Sequence, residues 1–366
     1  MELRGTVIFE RMTGNVMREF CEIEGHRYLR MDIRKEEEGL TIHWILRSSL
    51  NLSERIIRRI KRRPMGVLLD GDYAFVTERV RTGQILSIRL TDPGEYDRGG
   101  ESVWMKPQAG MPPLEILYED SDLIFLNKKD HVVCHPSPGH YADTLANQVA
   151  DHLGLDRGRI YPVGRLDRDT SGIVLFAKNS DAAGIMTLER TRGDYQKTYR
   201  AWADGLISED TFTIDRPLRR KAGSLMLREV GEDGQTAVTH CKVIKRDPLG
   251  KRTLLSITID QGRTHQIRVH LASIGHPILG DPLYHPQGDV PYHPHGDFHY
   301  HPDELGEEKG QEEFRLGPGS EKKPEDPRII NLPLQLQAYQ ASWLSPYLME
   351  EMTLTLSDRQ NPSFLT

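Results

Sequence analysis

The sequence predicts an α+β fold, and three features carry that reading. Apolar runs of strand length alternate with helical stretches without settling into a strict βαβ repeat. Turn signals separate these runs, so antiparallel connections are available to them. At 366 residues the chain has room for two domains of about 100–200 residues each.

Residues 1–40 mix apolar Val7-Ile8-Phe9 with the charged run Arg34–Glu38 and suggest no function. Residues 41–92 read as a small unit. Ser53 is placed to N-cap a helix with Glu54 in its first turn. Ile56, Ile57 and Ile60 form one apolar stripe, and Pro64 stops the helix near Arg63. Val67–Leu69 reads as a strand, Asp70-Gly71 as a hairpin turn and Tyr73–Val76 as the partner strand. Ile85–Leu90 follows as a last strand. Residues 93–113, rich in proline and glycine, read as a linker.

From Leu114 the pattern becomes strands mixed with helices. Ile116–Tyr118 and Leu123–Leu126 bracket a turn at Asp120–Asp122, Ile173–Ala177 reads as a buried strand, and Leu254–Ile259 alternates as a strand does. Residues 285–328 interrupt this order with histidine, proline, glycine and glutamate. The pairs His293/His295 and His299/His301, with His285 before them, raise the question of a metal, but a disordered acidic tether is the better reading. No metal is expected.

Charge and cysteines narrow the class. The net charge is −6, and residues 285–328 alone hold 11 acids against 5 bases. The remainder is balanced, so nucleic acid is not excluded. No run reaches the ~18 apolar residues of a membrane span. Met1–Arg4 does not open a secretory signal. Cys21, Cys134 and Cys241 form no CxxC pair, which points to a reduced, cytoplasmic protein. A monomer without an obligate protein partner is the default expectation.

Three segments carry chemistry. Gly164-Arg165-Leu166-Asp167-Arg168-Asp169-Thr170-Ser171-Gly172 crowds two acids and two arginines before an apolar strand. An acid there needs a cation to stay ionised, although a plain polar turn fits as well. In Gly262–Leu271, Thr264 is placed to cap a helix with Ile267, Leu271 and Ile274 on one face. Arg268 lies on another face, directed to a cleft or simply to solvent. In Tyr195–Trp202, Lys197, Tyr199 and Ala201 share one strand face. Tyr199 there is either a base-stacking tyrosine or an ordinary strand tyrosine.

Taken together and in order, these segments resemble the RluA-type pseudouridine synthases. Arg165, Leu166, Asp167, Thr170, Ser171, Gly172, Leu175, Ala177 and Lys178 match that family's (H/G)RLDxxTSGxxLxAK signature. Gly262–His270 matches GRTHQ(I/L)RVH, Gly275–Tyr284 extends it, and Lys197-x-Tyr199-x-Ala201 matches a third motif. The resemblance implies a mixed, mainly antiparallel catalytic domain over 114–357. Residues 41–92 resemble an S4-type RNA-binding module, with Arg55, Arg58, Arg59, Lys61, Arg62 and Arg63 suited to phosphate contact. Two departures stand out. Lys129-Asp130-His131 replaces the Pro-Ala-Gly turn of the first family motif (Asn127–Pro136), and Gly164 stands where many members have histidine.

The resemblance implies an isomerase acting on uridines of rRNA or tRNA, with no cofactor. The N1–C1′ bond breaks, the uracil turns, and C5 is joined to C1′. Asp167 would attack C1′ or remove the C2′ proton, Arg268 would pair with Asp167, and Tyr199 would meet the uracil. The base must be flipped out, with Arg165 filling the vacated stack. Leu166, Thr170, Lys197, Thr264, Gln266 and Leu271 complete the expected substrate contacts. A non-catalytic RNA-binding factor and a glycosylase releasing free base are the alternatives.

Overall fold

In the computed structural model, residues 8–12, 18–95, 106–155, 159–224, 226–285 and 332–357 are described. The chain folds as two compact units. The first holds Met1–Pro136, Ala142–Arg200 and Gln337–Thr366; the second holds Ser137–Tyr141 and Ala201–Leu336.

The first unit contains a five-stranded sheet near its N-terminus. Strands β2 (Arg18–Ile23), β3 (His26–Asp32), β4 (Val67–Leu69), β5 (Asp72–Tyr73) and β6 (Ile85–Arg89) run in the order β2-β3-β6-β4-β5. Leu29, Met31, Val67, Leu86 and Ile88 pack there with helices α1 (Ile42–Ser48) and α2 (Glu54–Ile60). Ser53 caps α2 as expected, its side chain accepting from the Ile56 N–H. The Asp70-Gly71 hairpin forms with both residues at positive φ, but β5 ends at Tyr73, short of the expected Val76. The expected boundary at residue 41 cuts through this sheet, because Tyr28–Asp32 pair with Ile85–Arg89.

The same unit holds β7 (Ile116–Glu119), β8 (Leu123–Lys128), β9 (Tyr161–Pro162), β10 (Ser171–Ala177), β17 (Leu336–Leu344, all but its first residue) and β18 (Glu351–Thr355), with β1 (Ile8–Met12) on β18. All pairings described in this set are antiparallel except β10 with β17. Ile173 to Ala177 are wholly buried, and each large side chain among them contributes about 1.5–3 kcal/mol of apolar burial. Gly172 meets the backbone of Ala338 so closely that any Cβ would collide, which accounts for a glycine there. Helix α3 (Leu145–His152) starts on a Thr144/Asn147 capping box. Helix α4 (Ser180–Arg192) is capped by Asn179 and ends on left-handed Gly193. Strand β11 (Gln196–Asp204) crosses the division after Arg200.

Glu189 of α4 is buried; one carboxylate oxygen accepts from the Leu344 N–H at 3.3 Å, and the other has no partner among the described residues. Burial, aided by Asp194, pushes its carboxyl from 4.5 up to about 8. The folded chain therefore keeps a proton that the unfolded chain releases, and stability falls as pH rises from 4.5 to about 8. Glu189→Gln is expected to raise unfolding stability by about 2 kcal/mol at pH 8 and to add nothing below pH 4.5. A gain equal at both pH values in urea melts would contradict this.

The second unit pairs β12 (Thr211–Asp215), β15 (Val238–Asp247) and β16 (Arg252–Ile259) antiparallel in the order β12-β15-β16. A small ribbon of β13 (Leu218–Arg220) and β14 (Arg228–Val230) accompanies helix α5 (Gln266–Ser273). The helix begins one residue later than a Thr264 cap would place it. Its N-cap is His265, in the left-handed region, and Gln266 folds its own side chain back onto the Arg263 N–H. Apart from His285, the 285–328 insert lies outside the described residues.

Candidate active site

Asp167 lies in the loop between β9 and β10, in a turn closed by the Thr170 N–H donating to its carbonyl at 3.2 Å. Residues on both sides of it are held from the 127–136 segment. The Lys128 ammonium, fully buried, donates to the carbonyls of Lys129, Val132 and Arg168 at 2.8, 2.8 and 2.7 Å. The Cys134 thiol donates to the Leu166 carbonyl at 3.3 Å and accepts from the Leu166 N–H at 3.5 Å. Leu166 and Arg168 are thus fixed and Asp167 between them is presented. The altered first motif keeps this clamp. His131 takes the left-handed conformation, φ +59, and its Nδ1 lies 3.2 Å from Asp169. Arg168 Nε reaches the same Asp169 oxygen at 3.2 Å.

Burial lowers the Lys128 amine to about 8 despite nearby Cys134, Asp169, Asp130 and Asp167, which raise it. Tyr199, on β11, is 7% exposed, and burial together with the Asp167 charge holds its hydroxyl above the usual tyrosine value. At neutral pH it is a neutral phenol, able to stack and to donate a hydrogen bond. Burial also lowers the half-buried Lys197 to about 8, with Arg190 pushing the same way. Arg165 is exposed, Leu166 is 8% exposed, and Thr170 is buried with its hydroxyl unpartnered among the described residues.

In the second unit, Arg268 is 1% exposed and grips Asp281 bidentately, Nε to Oδ2 at 2.8 Å and Nη2 to Oδ1 at 2.6 Å. Within the second unit, Asp281, itself 1% exposed, is a carboxylate partner of Arg268. A buried guanidinium requires such a partner, and Asp281 follows in the Gly280-Asp281-Pro282 stretch, where nothing in the local sequence marks it as one. Asp281 Oδ1 also accepts from the N–H groups of Leu283 and Tyr284, and the Tyr284 hydroxyl lies 2.8 Å from His265 Nδ1. Three of the expected substrate contacts lie on α5 and the turn before it. Leu271 is wholly buried, and the Gln266 amide is occupied by the Val238 carbonyl and the Thr239 hydroxyl. Thr264 is exposed and does not cap the helix.

The six bases at 55–63 also divide. Arg59 and Arg63 turn inward onto Asp181, at 2.6 and 3.0 Å, and Asp181 is 1% exposed. They hold α2 to α4 and leave Arg55, Arg58, Lys61 and Arg62 on the exposed face.

The first unit thus holds Asp167 on a doubly clamped loop, close enough to the buried Tyr199 for its charge to act on that hydroxyl. A family model described as RNA pseudouridylate synthase matches residues 122–273. The chain is similar to YjbO of Bacillus subtilis, an uncharacterized RNA pseudouridine synthase, with 34% identity over 64% of this chain and 80% of that protein. It is 32% identical to YhcT of the same organism, over 70% of this chain and 83% of that protein. Ribosomal large subunit pseudouridine synthase D of Haemophilus influenzae is 34% identical over 54% of this chain and 64% of that protein. The chain belongs to the RNA pseudouridine synthase family, enzymes that isomerise uridine in RNA. Among the described residues no helix is long and apolar enough to cross a membrane.

Proposed function

We propose that this chain converts uridines of large-subunit ribosomal RNA to pseudouridine with Asp167 as the catalytic carboxylate. The observation that carries the assignment is the two-sided clamp on Leu166 and Arg168, which fixes Asp167 near the buried Tyr199. The ribosomal substrate rests on the similarity to synthase D. The isomerisation is redox-neutral. The N1–C1′ bond breaks, C5–C1′ forms, the C5 proton leaves, and N1 gains one. Asp167 acts at the ribose as an anion. Tyr199, as a phenol, stacks on the uracil and hydrogen-bonds it rather than working as a tyrosinate. Exposed Arg165 is suited to fill the stack left by the flipped base.

We read the N-terminal sheet with α1 and α2 as an S4-like RNA-binding module. Its contact face is Arg55, Arg58, Lys61 and Arg62. Replacing Arg58 and Lys61 together with Ala is expected to lower the slope of log affinity against log salt by about 1–2. An unchanged slope in a filter-binding salt series would move the RNA surface elsewhere.

Reaction class is tested by incubating the purified protein with an unmodified large-subunit rRNA transcript, digesting it and separating the products by chromatography. Pseudouridine retained in the RNA supports the reading. Free uracil in the supernatant would mark a glycosylase, and neither product would favour a non-catalytic RNA-binding factor.

A further inference from the structure

Two cations of the first unit converge near the catalytic loop without a carboxylate partner. Arg190, exposed near the end of α4, and Lys197, at the start of β11, make no ion pair among the described residues. Both close on Gly164, three residues before Asp167. A Cβ built there would lie 3.8 Å from Arg190 Nη1 and 3.9 Å from Lys197 Nζ. Gly164 has φ +76, where a glycine is favoured, so the space between the two cations stays free of a side chain. Like charges held together in a half-buried place are stabilised by an anion, and a guanidinium beside an ammonium suits a phosphate.

The surface leading to this place is basic as well. Helices α2 and α4 lie antiparallel, with Arg59 on Asp181 and Ile56 against Gly184. Continued in opposite directions along the two helices, this contact sets Arg55 level with Ile185, and Arg190 lies about 1.4 turns further along α4.

We propose that Arg190, Lys197 and the open Gly164 form a phosphate subsite that holds the RNA backbone next to the target uridine, fed along α4 from the exposed bases of α2. The subsite rests on the synthase reading for the identity of its anion, an RNA phosphate. Arg190 fixes the strand at the loop that carries Asp167, so the flipped nucleotide enters with its ribose at that carboxylate. The Lys197 ammonium, lowered to about 8, weakens the subsite as pH rises past that value.

The test measures binding of a labelled oligo(U) of about 20 nucleotides across a salt series for wild type, Arg190→Ala, Arg190→Lys and Lys245→Ala, an exposed lysine of the second unit. Arg190→Ala is expected to weaken binding about 3–10-fold at 0.1 M salt and to lower the single-strand salt slope by about 0.7. Arg190→Lys keeps the charge and is expected to restore the slope. A wild-type slope in Arg190→Ala, or an equal loss in Lys245→Ala, would overturn the subsite. The same proteins are assayed for pseudouridine in an rRNA transcript. Pseudouridine made by wild type together with an unaltered Arg190→Ala slope removes the subsite and leaves the synthase reading standing. A lowered slope with no pseudouridine from any protein removes the synthase reading and leaves an anion site at Arg190.

Discussion

Asp167→Asn is expected to lower pseudouridine formation by a factor on the order of 10³ or more while leaving RNA affinity within about twofold of wild type. The substitution keeps the size of the side chain and removes the negative charge that either chemical route at the ribose needs. It leaves the loop in place, because the clamp acts through the backbone of Leu166 and Arg168 and not through the carboxylate. Single-turnover assays on an rRNA transcript, paired with binding by the same variant, separate the two effects. Turnover within tenfold of wild type would move the catalytic role to another residue. Lost binding would instead show that Asp167 supports the RNA surface.

Lys128→Met is expected to cost about 3 kcal/mol or more of stability, the second large effect. Methionine fills much the same volume but strands the carbonyls of Lys129, Val132 and Arg168, which the ammonium now satisfies in a fully buried place. The pH dependence has a definite sign. The native lysine titrates at about 8 and the unfolded one near 10.5. Below pH 8 the ammonium is charged in both states and this contribution is constant. Between 8 and 10.5 the unfolded chain holds more protons, so wild-type stability rises with pH by a contribution the methionine variant lacks. Urea melts at pH 7 and pH 10 measure both effects. A variant as stable as wild type at pH 7 would show that the three carbonyls find other donors.

The elements best legible in the sequence were those whose signal is local. The Ile173–Ala177 run announces a buried strand, Ser53 with its isoleucine stripe announces α2, and Asp70-Gly71 announces a hairpin. Strands β2 and β3 escaped because charges fill their exposed positions and mask the alternation; only Tyr28, Leu29 and Met31 are buried within β3. The site was legible as a set of residue types, not as a set of contacts. A run of six bases looks uniform along the chain, yet Arg59 and Arg63 find Asp181 more than a hundred residues away. The same holds for α5. Gln266, Arg268 and His270 look like a solvated polar face, but all three are buried because Thr239, Asp281 and the Arg216 carbonyl meet them from distant segments. The Lys128 clamp on the catalytic loop has the same character. It joins residues 40 positions apart through a backbone carbonyl, which no side-chain pattern records.

The central claim is tested most directly by mapping pseudouridine in cellular RNA through carbodiimide-dependent reverse-transcription stops, in cells with and without this gene. The account predicts stops lost at one or a few uridines of large-subunit rRNA, restored by the wild-type protein and not by Asp167→Asn. An identical map in both cells, or restoration by Asp167→Asn, would contradict it.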